Sequence, residues 1–369
     1  MEGSCVHKIL FFTPSLDYGG SVKQLYLVAK ELVASGSSVA FATWAAGGPY
    51  AQKFREAGVQ RECLAWKRVF DVRPLIALRR LIHSYQPTIF HQFGGRPLDW
   101  AQIAALGVKC PIILTPDSSC SLIQQSWTTS VRCKLTPAHA IVLGHSAAMD
   151  RFMKLNLTGK KVVRIAPAVP LRPSGSAFNQ SIKAELNLPA GSRLIACVGP
   201  FREAEAGIFA CWAGDILRFL YEQLHLIFIG EGPGCERIRQ FARSTKSSAF
   251  VHFVGTRPDV LPLMAEADVV WTLDRNGQGC NVALEAMSMG KPVVAVRSPG
   301  LSEIVVDGET GFVVPPNDRV ALARQTKALL DDADIASKLG EAGRHRAETV
   351  FDLESTVQSH KKLYISANG

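Results

Sequence analysis

The sequence predicts an α/β protein of two doubly wound domains facing each other across a cleft. Three observations predict it. Short β-branched or aromatic runs alternate with helix-length amphipathic segments from end to end, the mark of parallel sheets covered on both faces. A Pro/Ser/Gly-rich break, PAVPLRPSGSAF, interrupts that alternation at residues 167–178. At 369 residues, the chain also exceeds what one hydrophobic core usually serves.

In chain order, the first half offers strands at KILFFTP, SVAFATW, TIFHQF, PIILT, AIVLG and VVRIAP. The second half offers RLIACVG, LHLIFIG, FVHFVG, DVVWTL, PVVAV and GFVVP. Each is a four-to-seven-residue apolar run bounded by turn residues, with a helical pattern between one run and the next. The break cannot hold a helix or an interior strand, because its prolines lack the needed N–H. The expected organisation is a first domain over 1–170, a linker over 171–178, a second domain over 179–352 and a terminal helix over 353–369 that packs back on the first domain.

Composition narrows the function. No run approaches the roughly 18 to 20 apolar residues that span a bilayer, and Met1 to Lys8 lacks a signal-peptide pattern, so the cytoplasm is expected. Nine cysteines, without a C-x-x-C pair, sit mostly inside apolar runs and read as small buried hydrophobes. A formal charge of +9 suits an anionic ligand or the anionic face of a membrane. Nucleic acid is not expected, because the chain has no zinc-finger spacing, aromatic RNA-binding signature or basic block.

Two glycine-rich stretches carry the chemistry. In FFTPSLDYGGSVKQLYLVAKEL, Gly19 and Gly20 precede a helix whose apolar positions Val22, Leu25, Tyr26, Ala29, Leu32 and Val33 recur at helical spacing. Glycines there let backbone amides approach an anion at the positive end of the helix dipole. A plain strand-to-helix loop explains the pair equally well, and the G-x-G-x-x-G dinucleotide spacing is absent. In RNGQGCNVALEAMSMGKPVV, Gly277 and Gly279 follow a strand, and the amides of Gly279, Cys280, Asn281 and Val282 would open the next helix. Such a turn can hold a diphosphate without a metal. Glu285 stands one turn beyond Asn281, and its oxygens suit sugar or ribose hydroxyls.

From Asn281 to Asp318 the residues NVALEAMSMGKPVVAV…GLSEIVVDGETGFVVPPND resemble, almost position for position, a family 4 (group 1) glycosyltransferase of the GT-B fold, of which this chain looks like a divergent member. LIFIGEGP, FVHFVGTRPDVLPLMAEADVV, IACVGPFREAEAG and, in the first half, PSLDYGGSVKQLYLVAKEL extend the resemblance over nearly the whole chain. It implies a retaining, metal-independent transfer of a hexose, with the nucleotide sugar (UDP-, GDP- or ADP-linked) as substrate and no cofactor. It also implies a polysaccharide, lipid-linked or small glycoside acceptor. Carried over by position, Glu285 would hold the donor's ribose or hydroxyl end. Gly279, Cys280, Asn281 and Val282 would meet its sugar and phosphates, and Gly232, Gly255, Thr256 and Arg257 would complete the donor site. Gly19 and Gly20 would face the cleft from the other domain. With lipid-linked acceptors, peripheral contact with the inner membrane surface is expected.

The chain departs from that pattern at three places. Gly277 stands where the family has its first glutamate, eight residues before Glu285. In GPFREAEAG, Pro200 replaces the phosphate-binding arginine and Ala206 the lysine, which leaves Arg202, displaced by two residues, as the candidate cation, with Arg275 and Arg297 as further substitutes. Pro116 and Asp117 replace an acceptor-side histidine, so Asp117 becomes the candidate group toward the acceptor, and His91 a second one. A non-catalytic GT-B protein that binds nucleotide sugar or acts as a scaffold is the alternative.

Overall fold

A computed structural model describes residues 8–64, 71–96, 98–117, 127–154, 160–171, 181–258, 260–273 and 279–368. The chain divides into two compact units, Met1–Ala168 with Leu353–Gly369, and Val169–Asp352. Most of the expected linker, and Arg275 to Gln278, lie outside the described residues.

The first unit runs β1 (Lys8–Thr13), α1 (Gly20–Ala34), β2 (Ser38–Thr43), α2 (Tyr50–Glu56), β3 (Gln60–Cys63), α3 (Arg73–Tyr85), β4 (Ile89–Phe93), α4 (Trp100–Ala104), β5 (Ile112–Thr115), α5 (Trp127–Leu135), β6 (Ala140–Leu143), α6 (Ser146–Lys154) and β7 (Lys161–Arg164). Its sheet is parallel, in the order β3-β2-β1-β4-β5-β6-β7. The second unit runs α7 (Ile182–Glu185), β8 (Arg193–Val198), α8 (Ala204–Arg218), β9 (Leu224–Ile229), α9 (Cys235–Ser244), β10 (Val251–Gly255), α10 (Val260–Glu266), β11 (Val269–Thr272), α11 (Cys280–Ser288), β12 (Val293–Val296), α12 (Leu301–Ile304), β13 (Phe312–Val314), α13 (Arg319–Asp331) and α14 (Ala333–Val350). Its sheet is also parallel, ordered β10-β9-β8-β11-β12-β13.

Both predicted sheets are present, and all twelve predicted strands lie in them. The strand missed is β3, whose residues QREC carry no apolar run; it joins the sheet at an edge, by parallel pairing with β2. Central strands are buried at nearly every position, as sheets covered on both faces require.

The last helix, α15 (Leu353–Asn368), contributes Val357, Leu363 and Tyr364 to the same core as Leu25, Val28 and Leu32 of α1. Five of the described cysteines are buried, whereas Cys63 is exposed and Cys280 half-buried. No helix among the described residues is long and apolar enough to cross a membrane.

In each sheet the strand order reverses direction once, between β1 and β4 and between β8 and β11. At such a switch point neighbouring loops leave in opposite directions and open a crevice beyond the carboxyl ends of the strands.

Candidate functional site

In the second unit, the loops leaving β8 and β11 flank the switch point. The first carries Arg202, which is exposed. Its backbone is held from beneath: the amide of Gly234 donates to the Phe201 carbonyl at 2.9 Å, and the amide of Phe201 donates to Glu231 at 3.3 Å. A Cβ on Gly232 would strike the Phe201 carbonyl oxygen, and one on Gly234 would come 2.6 Å from the Glu203 carbonyl carbon. Two backbones therefore pass in direct contact, which only glycine permits. This packing gives Gly232 a structural task beside its implied place in the donor site.

Gly232→Ala should destabilise the second unit by about 1–3 kcal/mol through overpacking, measured by urea unfolding. An unchanged midpoint would show that the two loops part freely. Gly19 offers the contrast. Its φ of −171° is extended and a Cβ there would meet only the Asp17 carbonyl oxygen at 3.9 Å. Gly19→Ala should cost no more than the loss of a good helix cap, about 1 kcal/mol, so that a larger loss of activity reports on ligand approach.

Beyond β10, Gly255 has φ +70° and its carbonyl accepts from Gly230 at 2.7 Å, which ties this turn to the end of β9. Thr256 is exposed. The guanidinium of Arg257 donates to both carboxylate oxygens of Glu185, at 2.7 and 3.1 Å. Its fork thus clamps the turn against α7, which leaves backbone and Thr256 as the nearer surface for a ligand. Glu231 pairs with Arg239 at 2.9 Å, and that guanidinium lies over the Phe253 ring.

Beyond β11, Gly279 stands at the amino end of α11. Cys280 and Asn281 are half-buried in its first turn and Val282 is buried. Glu285 is 7% exposed, a carboxylate nearly withdrawn from solvent on the helix that starts at the switch point. Thr272, the last residue of β11, is 2% exposed and its hydroxyl has no hydrogen-bond partner among the described residues. Its neighbours Trp271 and Leu273 belong to the core beneath α8, so alternation turns Thr272 to the opposite face of the sheet. A buried hydroxyl without a partner costs roughly 1–3 kcal/mol, which a ligand or water recovers. Arg297, at the end of β12, is exposed.

In the first unit, the switch point gathers what the sequence leaves scattered. The hydroxyl of Ser21, in the first turn of α1 behind Gly19 and Gly20, stands 3.4 Å from the Asp117 carboxylate. The Asp117 amide donates to Gly95 at 3.2 Å. Gly95 has φ +77°, and a Cβ there would lie 2.5 Å from Gln92 Nε2 and 2.7 Å from Asp99 Oδ2. An acid at a helix amino end is held favourably by the dipole. Ser21, Gln92, Gly95 and Asp99 are the neighbours sequence reasoning passed over; the glycine pair in HQFGGRP was their one local signal.

His91 is not at the site. It is wholly buried, with Nδ1 at 2.8 Å from the Tyr364 hydroxyl and Nε2 at 2.8 Å from Thr115 Oγ1. Both ring nitrogens are thus occupied inside the core, and burial, with His360 nearby, pushes its pKa well below the usual value. A strand-end histidine looks alike in sequence whichever way it points; here it points inward to α15.

Comparison with known proteins accords with this geometry. Residues 178–346 match the family described as Glycosyl transferases group 1. EpsD of Bacillus subtilis strain 168 is 35% identical over 153 residues, 41% of this chain and 40% of its own. N-acetyl-alpha-D-glucosaminyl L-malate synthase of Bacillus anthracis is 29% identical over 139 residues, 38% of this chain and 36% of its own. The matched stretch thus spans less than half the length of these curated relatives. Among solved structures, Anabaena HepE in complex with UDP and glucose superposes with a TM-score of 0.82 at 18% identity, over 98% of this chain and 100% of that one. The shared architecture is GT-B.

Proposed function

We propose, on the premise that residues 178–346 are a group 1 glycosyltransferase domain, that this protein moves a hexose from a nucleoside-diphosphate sugar to a polysaccharide, lipid-linked or small glycoside acceptor. Transfer proceeds with retention and without a metal. The observation that carries the reading is the switch point of the second unit, where Arg202 and the start of α11, with its buried Glu285, lie on the loops flanking one crevice.

The chemistry asks for that pairing. Breaking the anomeric C–O bond builds charge on the leaving diphosphate while the sugar becomes oxocarbenium-like, so fixed donors and a cation must face the phosphates. The amino end of α11 supplies the donors, and Arg202 the cation. Glu285 accepts hydrogen bonds from donor hydroxyls, and the Thr272 hydroxyl gains a partner when the site fills. In the first unit, Asp117 orients the acceptor hydroxyl, with Ser21 and the Gly19–Gly20 turn beside it. The protein works in the cytoplasm, at the inner membrane surface when its acceptor is lipid-linked.

The test is a panel of UDP-, GDP- and ADP-sugars, read by diphosphate release and by thermal shift. UDP-sugars come first, since the HepE complex holds UDP. Tight binding without turnover across a wide acceptor panel would sink the transferase reading and leave a nucleotide-sugar-binding protein. Glu285→Gln keeps the shape and removes the charge. Donor affinity should fall about tenfold to a hundredfold, the worth of a charged hydrogen bond; undiminished affinity by calorimetry would take Glu285 out of the donor site.

A further inference from the structure

We infer that His225 and His252 form a site for one divalent transition-metal ion, zinc, nickel or copper, at the edge of the second unit's sheet. His225 stands near the start of β9 and His252 near the start of β10, and Nδ1 of the first lies 3.0 Å from Nε2 of the second. Their ring centroids are 5.1 Å apart. Strand pairing fixes them there. In the parallel registers His225 faces Leu194 and His252 faces Ile227, so the two rings take diagonal places on adjacent strands. Leu226, Phe228 and Val251 belong to the core beneath α8, and alternation therefore turns both histidines to the opposite face, where they are half-buried.

Distance and chemistry decide what such a pair can hold. Without a metal, one neutral ring donates to the other, and a single shared proton keeps the nitrogens at hydrogen-bond distance. A metal bound at about 2.0–2.1 Å from two imidazole nitrogens sets them about 2.9–3.4 Å apart, for angles between square-planar and tetrahedral. The pair is already at that spacing. Taking the ion asks only that each ring turn to aim a lone pair at one point, with the shared proton moving to the far nitrogen of its own ring.

Both rings are also in the form that binds metal. Burial lowers the pKa of His225 and of His252, and the His225 ring adds to the shift at His252, so both are neutral near pH 7. Imidazole favours zinc, copper and nickel over magnesium and calcium, which prefer oxygen ligands. No group of three or more His, Cys, Asp or Glu that could hold a metal occurs among the described residues. The remaining positions on the ion therefore fall to water, and binding is reversible.

The consequence is mechanical. β10 is the edge strand, paired with β9, and it ends in the Gly255 turn. An ion held by both histidines ties that strand to its neighbour. The pair lies near the amino ends of the strands, whereas the crevice opens beyond their carboxyl ends. The site is thus separate from the proposed donor site, and the inference does not rest on the proposed function.

The untagged full chain, stripped with a chelator, should bind zinc or nickel at a single site by calorimetry at pH 7. Its thermal midpoint should climb with the logarithm of metal concentration, and magnesium should do neither. His225→Gln and His252→Gln should each abolish the binding, while His83→Gln, which removes an exposed histidine on α3, should leave it unchanged. Metal-free thermal unfolding of each variant checks its folding. Hydrogen exchange on the unaltered chain needs no variant and should show metal-dependent protection at β9 and β10. No saturable binding, binding that survives both variants, or protection confined to other elements overturns the inference.

Discussion

Replacing Arg202 by Ala is expected to lower kcat by about a hundredfold to a thousandfold, with a smaller effect on donor KM. The magnitude is that of one preorganised donor aimed at developing charge, about 2.7–4 kcal/mol of transition-state stabilisation. Preorganisation is visible in the backbone rather than in the side chain. Phe201, one residue before Arg202, is gripped by Gly234 through its carbonyl and by Glu231 through its amide, so the guanidinium swings from a fixed base. Exposure is what an arginine awaiting an anion should show. Arg202→Lys should recover part of the rate, because it restores the charge and not the fork. If kcat is unchanged in R202A, the leaving phosphates are met by another group, and Arg297 is the first to examine.

The second large effect is on stability. His360 is buried with Nδ1 at 3.0 Å from the Thr356 carbonyl and Nε2 without a hydrogen-bond partner among the described residues, between the rings of Phe93, His91 and Tyr364. Burial lowers its pKa to about 4, and His91 is displaced in the same direction. Both are neutral in the folded chain, whereas the unfolded chain protonates histidine at about 6.5. Below that pH the unfolded state binds more protons, so stability falls with acid. The contribution is whole above about pH 6.5 and is lost as the pH drops toward the folded values.

For His360 alone the full loss is about 3 kcal/mol at 1.36 kcal/mol per pKa unit, most of it spent by about pH 4. Hydrogen exchange should therefore show α15 and α1 losing protection between about pH 7 and pH 5, after correction for intrinsic rates. Equal protection of α15 at the two pH values would mean that these histidines titrate normally. His360→Phe should flatten the pH dependence. Tyr364→Phe should cost about 1–3 kcal/mol at neutral pH by stranding Nδ1 of His91.

How much of the site could be read in advance differs from residue to residue. Glu285 and the helix start before it were legible because a strand, a glycine-rich loop and a helix follow one another within about twenty residues, and local order shows in local sequence. Asp117 was legible only as an acid after a strand; its approach to Ser21 joins residues 96 positions apart. Which apolar side chains of α3 and α4 stay exposed was not legible at all. Val72, Ile76, Trp100 and Leu106 look like any apolar residues in two amphipathic segments, and only packing decides which side of a helix is left outside.

Sequence by itself determined two parallel α/β sheets, twelve of the strands in them, and the glycine turns at the strand ends, since side-chain period and the freedom of glycine backbone act between near neighbours in the chain. Tertiary structure alone decided that His91 closes a buried contact with Tyr364, 273 residues away, rather than reaching a ligand. It also decided that Gly232 must be glycine because of Phe201, that Arg257 is clamped by Glu185, and that α15 completes the first unit's core. Hydrogen bonds and close contacts form between whatever surfaces folding brings together, and distance along the chain does not enter their energy.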